Sequence, residues 1–438
     1  MAISANTVWE VRTTGNDTQC GGGFDATIAG AGTDYSQQNS AQATGTVTSS
    51  TTTVTATAGI FTAAMVGNSI TDGTAYKQIT GYTSATVVTV DSAPAWTSAT
   101  VYVGGALASP GKAAGIYVSG NTIYIKSGIY TISTATANVS GGIINFAVNG
   151  GGNNFGVHVI GYNIIRNDKG IKPLLQVVAT GVSSIVVITL SGVNSYLDNV
   201  TVDGNLASAI RGVNCNNYGS IVRCKIINCT NMGLSLNGSA TTAMFCEISN
   251  CTTTSPAILN NGSNCIQCIS HDNTIAGFRT QSGNFERCLS YNNIQHGFEG
   301  AGNYGRYIGC VAYNNRQNGF QMDGPTHTLN CLATNNGGYG YNAGQAVYLI
   351  NCAAYSNTSG TFAGGPVVEG FVTLTAMPFN NAASGDFSLN NLAASGGACR
   401  NAGYGIFPGL SSTTGYQDIG AVQHKDPLKI RGRLGDGR

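Results

Sequence analysis

The chain has 438 residues, only 9% of them are charged, and the formal net charge at pH 7 is +1. So small a charge excludes the bulk electrostatic attraction that drives non-specific binding to nucleic acid. No run of about 18 apolar residues is present, so no membrane insertion is expected. The 61 glycines and only 9 prolines favour an all-β chain that is rich in turns.

Residues 1–43 are interpreted as an opening strand with a cap. In TVWEVRTTGND (7–17), Val8 and Glu10 alternate with Trp9 and Val11, which indicates a strand followed by a turn. The start shows no basic segment followed by an apolar one. The protein is therefore expected to be made in the cytoplasm without an export signal.

Residues 44–104 have a pattern of their own and are interpreted as a small inserted β module. β-branched and polar residues alternate over 46–57, 76–80 and 86–91, which predicts the strands of a compact barrel or sandwich. Two roles stay open for this module: an inert spacer, or a docking or glycan-binding domain. The segment 106–115 then predicts a short helix that covers the exposed sheet edges at the end of a parallel stack.

Residues 105–384 are predicted to form a parallel β-helix because they carry a sequence repeat. Seven cysteines recur at steps of 20–22 residues, and they are Cys224, Cys246, Cys268, Cys288, Cys310, Cys331 and Cys352. In most repeats an aromatic or aliphatic residue follows ten positions later, and asparagines follow four or five positions later. A fixed period of this length is the signature of a solenoid. Short runs such as RCKII and ERCLSY between Asn/Gly turns indicate several short strands in each turn.

The phase of the cysteines predicts their state. Successive turns stack about 4.8 Å apart, so residues at equal phase lie on top of one another. A column of small apolar residues suits the interior, so the thiols are expected to be free and buried rather than disulfide-bonded. The sequence has no paired CxxC motif with metal-ligand spacing, so no metal site and no cofactor are expected.

Several segments resemble right-handed parallel β-helix proteins of the pectate-lyase-like superfamily, particularly those of tailed bacteriophages. They are the opening strand, the first rung NTIYIKSGIYTI (121–132), the repeats themselves and the closing segment DIGAVQ (418–423). Within the insert, FTAAMVGNSI (61–70) resembles a segment of small β modules in phage tail and fibre proteins. The resemblance implies a right-handed helix and a closing segment. Together with a short basic tail, which the last residues show directly, this segment covers 385–438.

The resemblance leaves the function open, because the superfamily includes lyases, glycoside hydrolases, tailspikes and non-catalytic virion proteins. We expect a structural virion protein of a tailed phage, either a tailspike or fibre or a capsid-surface protein. It is expected to form a homotrimer, to contact other virion proteins and to attach to host surface polysaccharide. The alternatives are a polysaccharide-degrading enzyme, which the few acidic residues disfavour, and a bacterial surface adhesin, which would need an export signal.

If the chain is a depolymerase, its catalytic residues are predicted at one phase of the repeat. Glu299 directly follows an aromatic residue of the repeat and is expected to stack between Arg279 and Gln321. Asp323 comes two residues after Gln321 on the same side of the strand, and His296 and His327 are near in phase. A glycoside hydrolase needs two carboxylates roughly 5–9.5 Å apart, so Glu299, Asp323 and His296 are the candidate catalytic residues. The alternative is a polar ladder with a surface ion pair of little energetic value.

A second set of residues is predicted to contact glycan. His271, Tyr291, Tyr313 and Tyr355 each lie three residues after a cysteine of the repeat, and Arg279 is included with them. An exposed aromatic stripe offers flat faces on which sugar rings can stack. The same stripe is also compatible with a protein interface, or with aromatic residues that are ordinary members of their strands and bind nothing.

Overall fold

The structure is a computed structural model, and it describes residues 3–133, 144–146, 156–178, 186–216, 218–238, 240–252, 255–302, 304–400, 402–405 and 417–423. It divides into two compact units, Met1–Ile275 and Ala276–Arg438. Both units are built from short parallel strands stacked turn upon turn, and the predicted all-β parallel β-helix is confirmed.

The solenoid of the first unit has three sheets. Sheet A contains, in spatial order, Gly23–Phe24, Val8–Val11, Thr122–Lys126, His158–Tyr162, Tyr196–Asp198, Ser220–Val222, Thr242–Met244 and Asn264–Ile266. Sheet B contains Ile129–Ile132, Leu174–Val177, Thr201–Asp203, Lys225–Ile227, Glu247–Ser249 and Ile269–His271. Sheet C contains Ile144–Phe146, Val186–Leu190, Arg211–Asn216, Met232–Asn237 and Ile258–Asn261. Neighbouring strands are parallel except for Val8–Val11 and Gly23–Phe24, which pair antiparallel.

The module interposed between the opening strand and the first rung is a closed six-stranded barrel. Its strands, in order around the barrel, are Ala43–Thr48, Thr53–Ala56, Val87–Val90, Tyr76–Ser84, Ser69–Thr71 and Ala99–Val103. Residues 46–57, predicted as one strand, form two strands of a hairpin because the chain turns between Thr48 and Thr53. The segment 61–70 contributes the 3₁₀ turn Ala63–Met65 and enters the strand Ser69–Thr71.

A short α-helix, Pro110–Ile116, follows the barrel where the sequence predicts one. Ser109 caps its first turn, since the Ser109 hydroxyl accepts a hydrogen bond from the backbone N–H of Lys112 at 3.1 Å. Pro110 fits the first helical position because its missing N–H would have no partner there.

The solenoid of the second unit also has three sheets. Sheet D contains Asn284–Glu286, Gly305–Ile308, Thr326–Leu329, Val347–Ile350 and Val367–Glu369. Sheet E contains Leu289–Tyr291, Val311–Tyr313, Leu332–Thr334, Ala353–Tyr355 and Val372–Thr373. Sheet F contains Phe278–Thr280, Phe298–Gly300, Phe320–Met322, Tyr339–Ala343 and Gly360–Ala363. A hairpin of Phe379–Asn381 and Asp386–Leu389, a 3₁₀ turn Ala382–Ser384 and a helical turn Gly396–Cys399 follow.

The interior of the second unit is made of columns of like residues. The rings of Phe278, Phe298 and Phe320 stack with centroids 4.9 Å apart, and Tyr341 continues the stack at 5.1 Å. A buried asparagine ladder lies beside it, since Asn315 Nδ2 donates to Asn336 Oδ1 at 3.0 Å. All 13 cysteines of the chain are free and buried, as predicted from their phase. These columns fix which residues of sheet F point outward.

The segment after the repeats packs against sheet E. Phe379, Phe387 and Leu389 join a buried cluster with Val311 and Leu332. The segment 418–423 is hydrogen-bonded to the repeats, since Gly420 donates its backbone N–H to the Asn330 carbonyl at 2.8 Å. The basic tail 424–438 lies outside the described residues. No helix in the described part of the chain is long and apolar enough to span a membrane.

Candidate functional site

The candidate catalytic residues lie on the outer face of sheet F in the second unit. The first four strands of this sheet each place an aromatic residue inside and the next residue outside. Arg279 pairs in register with Glu299, Glu299 with Gln321, and Gln321 with Asn342. The four side chains therefore form one outward polar column, hereafter the sheet F column.

Glu299 is the half-buried carboxylate of this column. Its Oε1 lies 3.7 Å from Nε of Arg279, and the side chain of Glu299 is 20% exposed. Burial raises the pKa of Glu299 because the charged form loses hydration, Arg279 acts against this shift, and the Asp323 charge adds to it. A carboxyl group with a raised pKa is suited to hold and deliver a proton.

Gln321 joins the remaining polar groups of the site. Its Oε1 accepts hydrogen bonds from Nδ2 of Asn318 at 2.7 Å and from Nδ2 of Asn342 at 2.8 Å. Its Nε2 donates to Oδ1 of Asp323, which is exposed. Gln321 thus links Asp323 to the amides of two neighbouring side chains.

His296 lies at the edge of the same face. Its Nδ1 accepts a hydrogen bond from the backbone N–H of Asn318 at 3.3 Å, so the ring is placed as the neutral form that carries its proton on Nε2. Burial lowers the pKa of His296, in line with that neutral form, although the Asp323 charge opposes the shift. The site therefore combines a carboxyl group of raised pKa, an exposed carboxylate and a neutral imidazole.

Sequence reasoning missed Asn318 and misjudged His327. Asn318 follows His296 by 22 residues, one turn of the repeat, and that spacing was the available signal. His327, which the sequence placed near Glu299 in phase, instead belongs to the strand Thr326–Leu329 of sheet D.

The predicted aromatic stripe is partly covered. Tyr291 and Tyr313 occupy the same register position in sheet E, and Tyr355 follows two strands further. The ring of Phe387 lies 5.1 Å from Tyr291 and 5.6 Å from Tyr313, centroid to centroid. The C-terminal hairpin thus packs on these rings, so the stripe is not the open surface that the sequence suggested.

The other two residues of that set lie elsewhere. Arg279 belongs to the sheet F column, where it faces Glu299. His271 lies in sheet B of the first unit, with Nδ1 2.6 Å from Asp272 Oδ2 and Nε2 3.4 Å from Glu247 Oε1. Lys225 Nζ lies 2.8 Å from the same Glu247 oxygen, so His271 is part of a small ion network.

A second outward column, on sheet D, was not predicted. Arg306, His327 and Tyr348 lie in register on adjacent strands, at steps of 21 residues in the sequence. The rings of His327 and Tyr348 stack, with centroids 5.2 Å apart and planes 12° from parallel. All three side chains are exposed, and Tyr348 is 41% exposed. This sheet D column presents flat rings and one cation to solvent.

The described residues contain no group of three or more His, Cys, Asp or Glu side chains arranged to hold a metal ion. Three acids of the first unit bind groups of the chain itself, and they are Asp168, Asp198 and Asp203.

Comparison with solved structures supports the fold. Pectate lyase Pel9A is 17% identical, with a TM-score of 0.50 over 71% of this chain and 89% of the other. A rhamnogalacturonan lyase is 16% identical, with a TM-score of 0.53 over 66% of this chain and 87% of the other. The tailspike protein gp49 from Pseudomonas phage LKA1 is 10% identical, with a TM-score of 0.27 over 77% of this chain and 61% of the other.

The two lyases share the architecture of this chain, which thus has the parallel β-helix fold of pectate-lyase-like proteins. At these identities the likeness concerns the fold alone, and the tailspike score is too low to indicate a function. A scan against protein-family models finds no match, and a search of curated proteins finds no relative.

Proposed function

We propose that this protein is a structural virion protein of a tailed phage, of tailspike, fibre or capsid-surface type. It attaches to polysaccharide on the host surface and acts as a homotrimer that contacts other virion proteins. The sheet D column carries the binding part of the proposal. The barrel supports the virion part, because its segment 61–70 resembles phage tail and fibre modules and the barrel is closed around a core of its own.

The sheet D column has the chemistry of a sugar-binding surface. Stacked imidazole and phenol rings offer apolar faces to the C–H faces of pyranose rings, while ring edges and the Arg306 guanidinium offer hydrogen bonds. The strands hold the three side chains about one strand spacing apart, so little conformational entropy is lost on binding. Arg306 favours polysaccharides that carry carboxylate groups.

A binding measurement with purified host surface polysaccharide tests this role. Tyr348→Ala is expected to weaken binding about 5-fold, since a lost stacking contact is worth on the order of 1 kcal/mol. Tyr82→Ala on the barrel is a matched control, because Tyr82 is 40% exposed against 41% for Tyr348. Equal binding by wild type, His327→Ala and Tyr348→Ala would remove the sheet D column from the proposal. Antibody labelling of phage particles in the electron microscope tests the location on the virion.

A polysaccharide-degrading activity is the second candidate, and the raised pKa of Glu299 beside Asp323 favours it. In this role Glu299 would protonate the glycosidic oxygen, while Asp323 would act as the second carboxylate. The assay is the release of reducing ends or unsaturated ends from host polysaccharide. Activity that is lost in Glu299→Gln and kept in Glu369→Gln, an exposed glutamate of sheet D, would establish it. If the wild-type protein releases no new ends, the binding role is the candidate that remains.

A further inference from the structure

The last turn of the second solenoid is open within the described part of the chain. Three strands end their sheets there, each paired on one side only, and they are Gly360–Ala363, Val367–Glu369 and Val372–Thr373. Phe362 is 37% exposed, although Tyr341, one turn earlier in the same interior column, is fully buried. Val368 is 40% exposed, whereas Leu349 in the turn before it is fully buried. Among the described residues, the repeats thus stop with interior positions uncovered.

The free edge of sheet D specifies what would cover it. The outward N–H and C=O groups of the edge strand Val367–Glu369 can be satisfied by another extended strand. Val368 occupies an interior position, so the residue opposite it should be apolar. Glu369 is exposed and is the only charged residue in 360–373, so a cation beside it would be stabilising. The edge therefore fits a segment in which apolar and basic residues alternate.

The chain contains one such segment after its closing segment. Leu428 and Ile430 alternate with Lys429 and Arg431, which is the two-residue period of a strand with one buried face. Residues 424–438 carry five lysines and arginines against two aspartates, so their net charge is +3 with the histidine neutral. The charge of this tail is therefore complementary to that of the last turn.

The match between the two segments holds for both strand directions. With Ile430 opposite Val368, a parallel strand places Arg431 beside Glu369. An antiparallel strand in the same position places Lys429 beside Glu369. In both cases an apolar side chain covers the interior position, and a cation lies next to the carboxylate.

The length of the chain allows this contact within one copy. Gly420 is hydrogen-bonded to Asn330, and Asn330, Asn351 and Gly370 follow one another at the same corner of successive turns. A strand added beyond the turn of Gly370 lies three turns from Asn330, which is about 14 Å along the stack. Ten residues lead from Gly420 to Ile430, and ten extended residues span up to about 33 Å.

We propose that residues 428–431 add a strand to Val367–Glu369 of the same chain and so close the free edge of sheet D. The inference goes beyond the proposed function and does not depend on it. The contact satisfies the backbone groups of the edge and covers Val368. It also prevents the edge from pairing with strands of other molecules, which is how exposed edges cause aggregation.

Thiol labelling of the full chain tests whether the edge is covered. All 13 native cysteines are buried, so Val368→Cys supplies a reporter thiol. It is expected to react about 10-fold or more slowly than Val193→Cys, because a covered thiol reacts only when the strand opens. Val193 is 41% exposed against 40% for Val368, so it is a matched control. Equally fast labelling of the two variants would overturn the proposal. Circular dichroism shows whether each variant is folded.

Charge reversal tests whether residues 428–431 are the covering segment. Adding Lys429→Glu and Arg431→Glu to Val368→Cys is expected to speed labelling about 10-fold, because the segment then repels the carboxylate of the edge. Lys425→Glu with Arg438→Glu changes the net charge of the tail equally and is expected to leave the labelling slow. If Val368→Cys reacts slowly in all these variants, another segment or a second copy covers the edge, and the proposal is overturned.

Disulfide trapping shows which copy supplies the strand. Two double variants are compared under oxidised glutathione, Glu369→Cys with Lys429→Cys and Glu369→Cys with Arg431→Cys. One of them is expected to form a disulfide within the chain, and which one does so gives the direction of the strand. A disulfide that joins two copies would assign the segment to a neighbouring molecule and overturn the contact within one chain. The absence of a disulfide in both variants would overturn the added strand.

Discussion

Arg279 lies directly opposite Glu299 on the neighbouring strand of sheet F, with its Nε 3.7 Å from Glu299 Oε1. Burial raises the pKa of Glu299, and the two charges near it act in opposite directions. Arg279→Met is therefore expected to raise the pKa of Glu299 further, because the ionised carboxylate loses its cation. Asp323→Asn is expected to lower it, because a like charge is removed.

Carboxyl ¹³C chemical shifts followed from pH 3 to 8 measure these changes. Gln417→Ala, at a site near Asn330, serves as a control substitution and is expected to leave the titration of Glu299 unchanged. A Glu299 pKa that moves in the same direction in Arg279→Met and Asp323→Asn would contradict the electrostatic account of the site.

The aromatic stack inside sheet F is expected to dominate the stability of the second unit. Phe298 is fully buried between Phe278 and Phe320, with ring centroids 4.9 Å from each. Phe298→Ala is expected to lower the free energy of unfolding by about 3–5 kcal/mol, because it leaves a cavity that the neighbouring strands cannot close. Urea unfolding measures this loss. Phe362→Ala, at a ring 37% exposed, is expected to cost less than half as much, and equal costs would contradict the assignment of the stack to the core.

The cysteine columns predict a clear labelling result. Burial raises the pKa of the Cys224 and Cys246 thiols, so little reactive thiolate is present and the reagent has no access. In native protein, none of the 13 cysteines is expected to react with a thiol reagent within minutes. In guanidinium chloride all 13 are expected to react. Fast labelling of several cysteines in the folded state would be incompatible with their interior position.

The turn-to-turn register of the solenoid could be predicted because the sequence itself is periodic. Arg279, Glu299 and Gln321 share a position in the repeat, and the structure places them in register. The same reasoning placed the cysteines inside. Whether Glu299, Asp323 and His296 catalyse anything stays a prediction, since a shared face does not make a reaction site.

What the repeat could not predict are contacts made by segments outside it. Nothing in the spacing of Tyr291 and Tyr313 indicates that Phe387, over 70 residues later, packs on both rings. The exposure of Ile164 and Ile165 could not be predicted either, because an apolar run in a sequence is typical of a core strand. The period of the sequence predicts which residues lie next to each other in adjacent turns. It does not predict where a segment outside the repeat packs, because that depends on the surface of the folded solenoid.

The ion network around His271 predicts a pH dependence of stability. Two partners lower the pKa of Glu247 from 4.5 to about 2. The hydrogen bond with His271 contributes most, and Lys225 adds a hydrogen bond and its positive charge. Burial acts to lower the pKa of His271, but its bonds to Glu247 and Asp272 raise it above 6.5. The contribution of Glu247 is present above about pH 4.5 and is lost as the pH falls towards 2. The contribution of His271 is present below pH 6.5 and is lost as the pH rises through its raised pKa.

The network therefore stabilises the first unit most between pH 4.5 and 6.5. His271→Gln is expected to lower the free energy of unfolding there by roughly 0.5–1 kcal/mol, as for a partly exposed ion pair, and by less at pH 9 or pH 2. Urea unfolding at pH 5.5 and pH 9 measures the difference. His158→Gln is the control, because the His158 ring contacts Tyr196 rather than a carboxylate, and its effect is expected to be similar at both values. A loss in His271→Gln that is the same at pH 5.5 and pH 9 would show that His271 stabilises the fold by packing, without a contribution from its charge.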